Sequence, residues 1–484
     1  GHGHAGGGTP VSRAALLVGV ALVAAFASQS HAQSSADGGV RLPAFEQHTL
    51  ANGVVLVLME KHDTPLVSMR ALLRGGSLGD PAGKEGSAAL LAELLEKGAG
   101  KRDAVAFAEA IENVGGELAA SAETESLAVG ASFLARDVDL MVELVADAVL
   151  RPRLDPQEFS KARTLAVQSI AAAKDADPRQ LIGIYGDAWL FRGHPYGRPT
   201  EGSEKSLESI SLDDLKSYYA AQCGGDRLIV TVVGDIRAAE MKRRLEAAFG
   251  GWERSTVAAP AATAMARVQG RRVLLVDKPG ATQTYFWLGN VGADRTDPAR
   301  AAQSVANTIF GGRFTSMLNT ELRIKSGLSY GASSGFARLT EPGAFQITSY
   351  TQTEKTSEAM DLAFATLDRL HSEGLDADAI ASAKSYLLGQ FPTSIETNGQ
   401  IANRLADMVF FGLDRSDVDE YAARVRAVDA AAIAATIERD FPKSGDLAMV
   451  VIGDGSEIRE AARKYGPVTE MKITDPTFAP PAPN

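Results

Sequence analysis

The sequence has a single cysteine, Cys223, so no disulfide can form within the chain. It lies at the edge of a strand-like run with no His or Asn arrangement beside it, and reads as a buried free thiol rather than a nucleophile. The seven histidines are scattered: there is no H-x-x-x-H pair, no C-x-x-C and no histidine cluster, and so no strong local zinc signal. Positive charge is in deficit. The net charge of -11 argues against a nucleic-acid binder, which needs a basic stripe to neutralise phosphates. Long apolar runs are also lacking, since the stretch AALLVGVALVAAFA at residues 14–27 is short for a bilayer span.

That run follows Arg13 and precedes Ser30-His31-Ala32, a small-residue cleavage site, so it suits the apolar core of a signal peptide. The expectation is an exported, periplasmic protein whose mature chain begins near Gln33; an uncleaved membrane anchor is the alternative. With 484 residues, 45% hydrophobic and 23% charged, the chain falls in the soluble globular class and is too long for one ordinary core.

From about residue 44, strand-like and helix-like patterns alternate. Val54–Met59 and Val67–Leu73 read as strands; Gly86–Lys97, Asp103–Val114, Val138–Leu150 and residues 157–174 read as helices. The stretch STVAAPAATAMA (255–266) has linker composition, and after it the sequence repeats itself. Asp297-Pro298 answers Asp80-Pro81 at a distance of 217 residues, and LAMVVIGD (447–454) answers LIVTVVGD (228–235) at 219. Two unrelated landmarks at nearly one offset indicate a tandem duplication. The fold class expected is α+β, with two homologous domains in tandem. Each is a mostly antiparallel sheet packed with helices, in a clam-shell bilobal arrangement. The divisions are 1–32 leader and signal peptide, 42–254 first domain, 255–268 linker, 269–466 second domain and 467–484 a loose Pro/Ala-rich tail.

Four stretches in order carry a family resemblance: LANGVVLVLMEKHDTPLVSMRALLRGGSLGDP (50–81), GSAALLAELLEKGA (86–99), FRGHPYGRPTEGSEKSLESI (191–210) and FGGRFTSMLNTELRIKSGLSYGASS (310–334). Over residues 42–466 the chain resembles the pitrilysin/insulinase-type zinc peptidases, the inverzincins, which include mitochondrial processing peptidase and its bacterial relatives. Within this resemblance His194-Pro195-Tyr196 is a structural turn rather than a ligand site, and Gly311-Gly312 is a loop before a helix. The acidic run Glu109–Glu125 reads as a solvated loop and helix face.

An active member carries H-x-x-E-H on a helix of the first domain: two histidines one turn apart grip zinc, and the glutamate serves as general base. A second glutamate about 76 residues on completes the ligand set. Here the two histidine positions hold Ala89 and Glu93, the base position holds Ala92, and Ser169 stands where the last ligand belongs. All four positions have lost their group, so the resemblance implies no cofactor on this chain and zinc in a partner subunit. Arg323 and Tyr330, in RIKSGLSY, match the arginine–tyrosine pair of the family's second domain, which contacts substrate near the scissile bond. Met317–Lys325 is expected as the helix carrying the arginine, Gly327 as its stop and Leu328–Ser334 as the next strand.

The reading is therefore a zinc-free, substrate-binding subunit of a heterodimeric metallopeptidase acting on peptides or unfolded segments, inactive without a homologous zinc-bearing partner. Alternatives are a catalytically dead scaffold or peptide-binding protein, and an enzyme active alone through an unconventional metal site. Nucleic acid is not expected as a partner, nor membrane except through an uncleaved signal segment.

Overall fold

The computed structural model describes residues 39–481; the expected signal peptide lies outside these residues. The chain forms two six-stranded sheets. The first contains β1 (Glu46–Thr49), β2 (Val55–Glu60), β3 (Leu66–Arg74), β4 (Glu117–Ala122), β5 (Ser126–Leu134) and β6 (Leu228–Gly234), in the order β1-β2-β6-β3-β5-β4. The second contains β7 (Arg272–Asp277), β8 (Gln283–Val291), β9 (Ala332–Arg338), β10 (Pro342–Gln352), β11 (Ala448–Gly453) and β12 (Val468–Lys472), in the order β12-β7-β11-β8-β10-β9. Pairing is antiparallel except for β2 with β6 and for β7 with both β11 and β12. The two LxVxVxG-like runs form β6 and β11, each flanked on both sides and fully buried, which explains why their sequences are apolar without alternation. Strands β2 and β3 recur as β7 and β8 after 217 residues, so the duplication read from the sequence is a duplication of topology.

The first lobe carries α1 (Ser87–Leu95), α2 (Ala104–Glu112), α3 (Val138–Leu150) and α4 (Pro156–Ala176). The next helix, α5 (Ile182–Leu190), crosses over and packs on β8 and β11 of the second sheet. Its counterpart in the second half, Asn398–Phe410, crosses back onto β3 and β6 of the first. Each exchanged helix ends on an arginine of the other sheet. Arg272 donates to the carbonyls of Trp189 and Leu190 (2.9 and 3.0 Å), its guanidinium 5.2 Å from the Trp189 ring. Arg74 donates to the carbonyls of Phe410 and Val409 (2.7 and 3.1 Å), 4.5 Å over the Phe410 ring. Both satisfy carbonyls that a helix end leaves without partners. The lobes thus share a continuous core, in which Leu56, Val230, Tyr185, Trp287 and Val450 belong to one apolar cluster.

Linear domain limits do not delimit these lobes, because each contains a helix from the other half of the chain. The stretch 255–268 has no regular secondary structure and is pinned along its length. Val257 O accepts from Arg227 (2.7 Å), Thr263 O pairs with His194 Nε2 (2.7 Å), and Val268 N donates to Asn290 (2.9 Å). The tail is not loose. Val468–Lys472 is the edge strand β12, and Phe478, 1% exposed, meets Tyr185 edge-on at 5.0 Å. Its Pro and Ala content masked a short apolar pattern, Val468, Met471 and Ile473, which covers the otherwise open side of β7. The acidic run also departs from expectation at one end. Glu125 is buried and accepts from Tyr196 Oη (2.7 Å), Thr340 N (2.9 Å) and Thr340 Oγ1 (3.0 Å), tying the lobes together. Among the described residues no helix is long and apolar enough to cross a membrane.

The crossing of α5 depends on Gly186. A Cβ there would lie 2.5 Å from the ring of Trp287, which is completely buried. Gly186→Val is expected to destabilise the fold by about 1–3 kcal/mol through overpacking. Urea unfolding checks this, and an unchanged midpoint would show that the seam can yield.

Candidate functional site

Helix α1 begins at Gly86, where the carboxylate of Asp80 accepts from Gly86 N (2.8 Å) and Ala88 N (2.9 Å). Its inner face, Leu90, Leu91, Leu94 and Leu95, is core. One turn apart on the opposite face, Ala89 and Glu93 open into a cavity of about 400 Å³ that Ser169 of α4 also lines. Three of the four positions identified from sequence therefore meet in space. Ala92 does not line this cavity; it is 3% exposed and packed in the core. Glu93 is spoken for by Lys97 at 2.9 Å, and the neighbouring Glu96 holds α1 to the edge strand by accepting from Ala120 N.

Two methyl groups, a hydroxyl and a carboxylate paired with an ammonium do not make a zinc site, which needs three protein donors of nitrogen, sulfur or oxygen. No group of three or more His, Cys, Asp or Glu side chains suited to a metal occurs among the described residues. Sequence reasoning overlooked Glu201, which also lines this cavity. Burial, with the nearby charge of Glu123, raises its carboxyl above the usual range. Only its proximity to Ser169 and Glu93 in the fold distinguishes it from other glutamates.

In the second lobe, Arg323 and Tyr330 line one cavity of about 720 Å³, so the expected pair is brought together. The helix carrying Arg323 is not regular: Met317–Asn319 is α-helical, and Thr320–Lys325 widens into a π-helical turn. Such turns cluster at functional sites. Gly327, at φ +65°, ends it as expected. Tyr330 precedes the strand instead of lying within it, since β9 begins at Ala332. The side chains of Thr351 and Ser349 take the carbonyls of Leu328 and Gly331 (2.7 and 2.9 Å), replacing ladder bonds with a turn. Tyr330 is 76% exposed and faces Tyr350 (6.5 Å, 25°), which stacks on Tyr285 (5.8 Å, 30°). Arg323 lies 4.8 Å over Phe314.

The two cavities share a wall. Gln180, Leu181 and Ile184 line the first, while Arg179 and Ile182 line the second. Four large apolar or aromatic side chains that stay exposed, Leu165, Phe314, Tyr330 and Tyr386, line one or the other.

The remaining sequence candidates are structural. His194 Nδ1 accepts from Tyr196 N (3.1 Å), leaving Nε2–H to donate to Thr263 O. Cys223 is half-buried rather than fully buried as expected, and the burial it has pushes its thiol up to about 12, so little thiolate exists near neutrality. A thiol reagent at pH 8 is expected to label native protein slowly and urea-unfolded protein at once; immediate labelling of the native chain would contradict that burial. After equilibration with zinc and dialysis, metal analysis is expected to find well under one equivalent; stoichiometric, chelator-sensitive zinc would overturn the fit argument.

Comparison with known proteins agrees with this architecture. Residues 55–204 match the family profile "Insulinase (Peptidase family M16)", and residues 209–387 match "Peptidase M16 inactive domain". An uncharacterised zinc protease of Mycobacterium leprae is 29% identical over 358 residues, covering 74% of this chain and 80% of that protein. One from Mycobacterium bovis is 30% identical over 333 residues, covering 68% and 75%. The crystal structure of a peptidase M16 inactive domain from Pseudomonas fluorescens superposes with a TM-score of 0.79 at 22% identity, over 85% of this chain and 98% of that one. With its duplicated sheets, its emptied ligand positions and these relatives, the chain belongs to the M16, or insulinase, family of peptidases.

Proposed function

We propose that this chain is the zinc-free, substrate-binding subunit of a heterodimeric, exported metallopeptidase, working in the periplasm on peptides or unfolded segments. A homologous partner supplies the zinc and the general base. One observation carries the reading: the family's arginine–tyrosine pair opens into a cavity of about 720 Å³, while the metal positions in the same chain hold groups that cannot bind zinc. Loss of one half-site with retention of the other is the pattern expected when two chains divide the work.

In this reading the residues of the second lobe position substrate. The Arg323 guanidinium and the Tyr330 hydroxyl donate to a peptide carbonyl beside the bond to be cut, and so stabilise negative charge developing on its oxygen. Tyrosine faces beside them hold extended chain by contact that tolerates sequence variation. Donors of this kind are worth about 10²–10³ in rate where they face the developing oxyanion.

Co-expression with an H-x-x-E-H-bearing partner tests the proposal through cleavage of an unstructured peptide. Activity is expected in the complex alone, with Arg323→Ala and Tyr330→Phe each lowering kcat by about tenfold or more. Full activity from the partner alone, unaffected by either substitution in the complex, would sink it. A peptide-binding scaffold is the second reading, favoured by the binding character of the tyrosine stack itself; peptide binding by the complex without cleavage would select it.

A further inference from the structure

We propose that the second-lobe cavity selects peptides carrying acidic side chains, with Arg179, Arg313 and Arg323 as its specificity residues. This deepens the substrate-binding reading and rests on it. All three guanidinium groups line the cavity, and no aspartate or glutamate does.

Some arginines of the protein gather on carboxylates, whereas others, such as Arg74 and Arg272, are spent on backbone carbonyls. Around the buried Asp417 alone stand Arg300 (2.8 Å), Arg295 (3.4 Å), Arg404 (3.6 Å) and Arg424 (4.0 Å). In a chain with a net charge of -11, carboxylates are in excess, yet this cavity gathers three arginines and no carboxylate among its described lining residues. Among the described residues Arg323 has an aromatic partner, Phe314, and no ion pair. Arg179 is exposed, and its ion pair is with Asp177 at 3.8 Å, outside the cavity lining. Arg313 donates to the Ser382 hydroxyl (2.9 Å), while its Nε is buried with no hydrogen-bond partner.

The aromatic groups present these cations rather than neutralise them. Arg179 lies 5.9 Å over the Tyr350 ring and Arg323 lies over Phe314, so ring faces hold the planar groups and leave their N–H edges free. A planar fork of N–H donors matches a carboxylate in two-point contact.

The test uses the full chain and two fluorescent, unstructured peptides identical except that glutamates in one are glutamines in the other. Fluorescence polarisation at low ionic strength is expected to show the glutamate peptide binding about fivefold to tenfold more tightly, the surplus of a charge-assisted over a neutral hydrogen bond at a partly exposed site. The preference should shrink as salt is added. Arg179→Gln, a surface change, should reduce it, and Arg179→Gln with Arg313→Gln should reduce it further, toward what Arg323 alone supplies, while glutamine-peptide binding persists. Equal affinity for the two peptides, or a preference untouched by both substitutions, overturns the charge selection and leaves the substrate-binding reading standing. Failure to bind either peptide overturns both.

Discussion

The seam between the lobes is the constraint on which the rest of this molecule depends. Helix α5 lies across Trp287 because Gly186 lets backbone approach an indole ring, and Asn398–Phe410 makes the reciprocal crossing onto β3 and β6. Arginines of the receiving sheets then take the last carbonyls of each helix. Duplicated halves that had each kept their own helix would form two separate cores. With the helices exchanged, the apolar cluster containing α5 runs through both lobes and Asn398–Phe410 packs on the outer face of the first sheet, so a fixed relation between the lobes follows from close packing.

That fixed relation decides the geometry of the two cavities. The segment leading into α5 is anchored to the second sheet at one end and continues α4 of the first lobe at the other. It therefore becomes a partition, with Leu181 and Ile184 turned to the emptied ligand positions and Arg179 and Ile182 turned to the arginine–tyrosine cavity. The sides differ in character. One holds small apolar groups with Glu93 and Glu201 at its edge; the other holds guanidinium groups and tyrosine rings.

In α1 the packing face and the cavity face are separable. Its inner leucines fill the core and its start is fastened by Asp80, so the helix is kept for packing whether or not its outer face binds metal. Ligand groups at Ala89 and Glu93 contribute nothing to that packing, and exchanging them leaves the inner face unchanged. The opposite holds for the π-helical turn around Arg323. A widened turn is not a low-cost way to pack a helix, and its presence fits a demand on where the arginine points.

Sequence by itself determined the duplication, most of the strands and helices and the absence of any H-x-x-E-H string, and it named Arg323 and Tyr330 as a pair that the fold places on one cavity. These are local patterns: periodicity sets an element, and residue type decides whether a side chain can donate to a metal. It did not determine that the Pro/Ala-rich tail supplies β12, that Glu125 is a buried tie, or that Tyr330 lies in a turn. Each depends on partners distant in the chain: β7, Thr340, and the side chains of Ser349 and Thr351. Tertiary structure alone made Glu201 and Arg179 part of these cavities, since nothing in their local sequence sets them apart. Charge acquires meaning from what it faces, and what it faces was decided by the crossing of two helices.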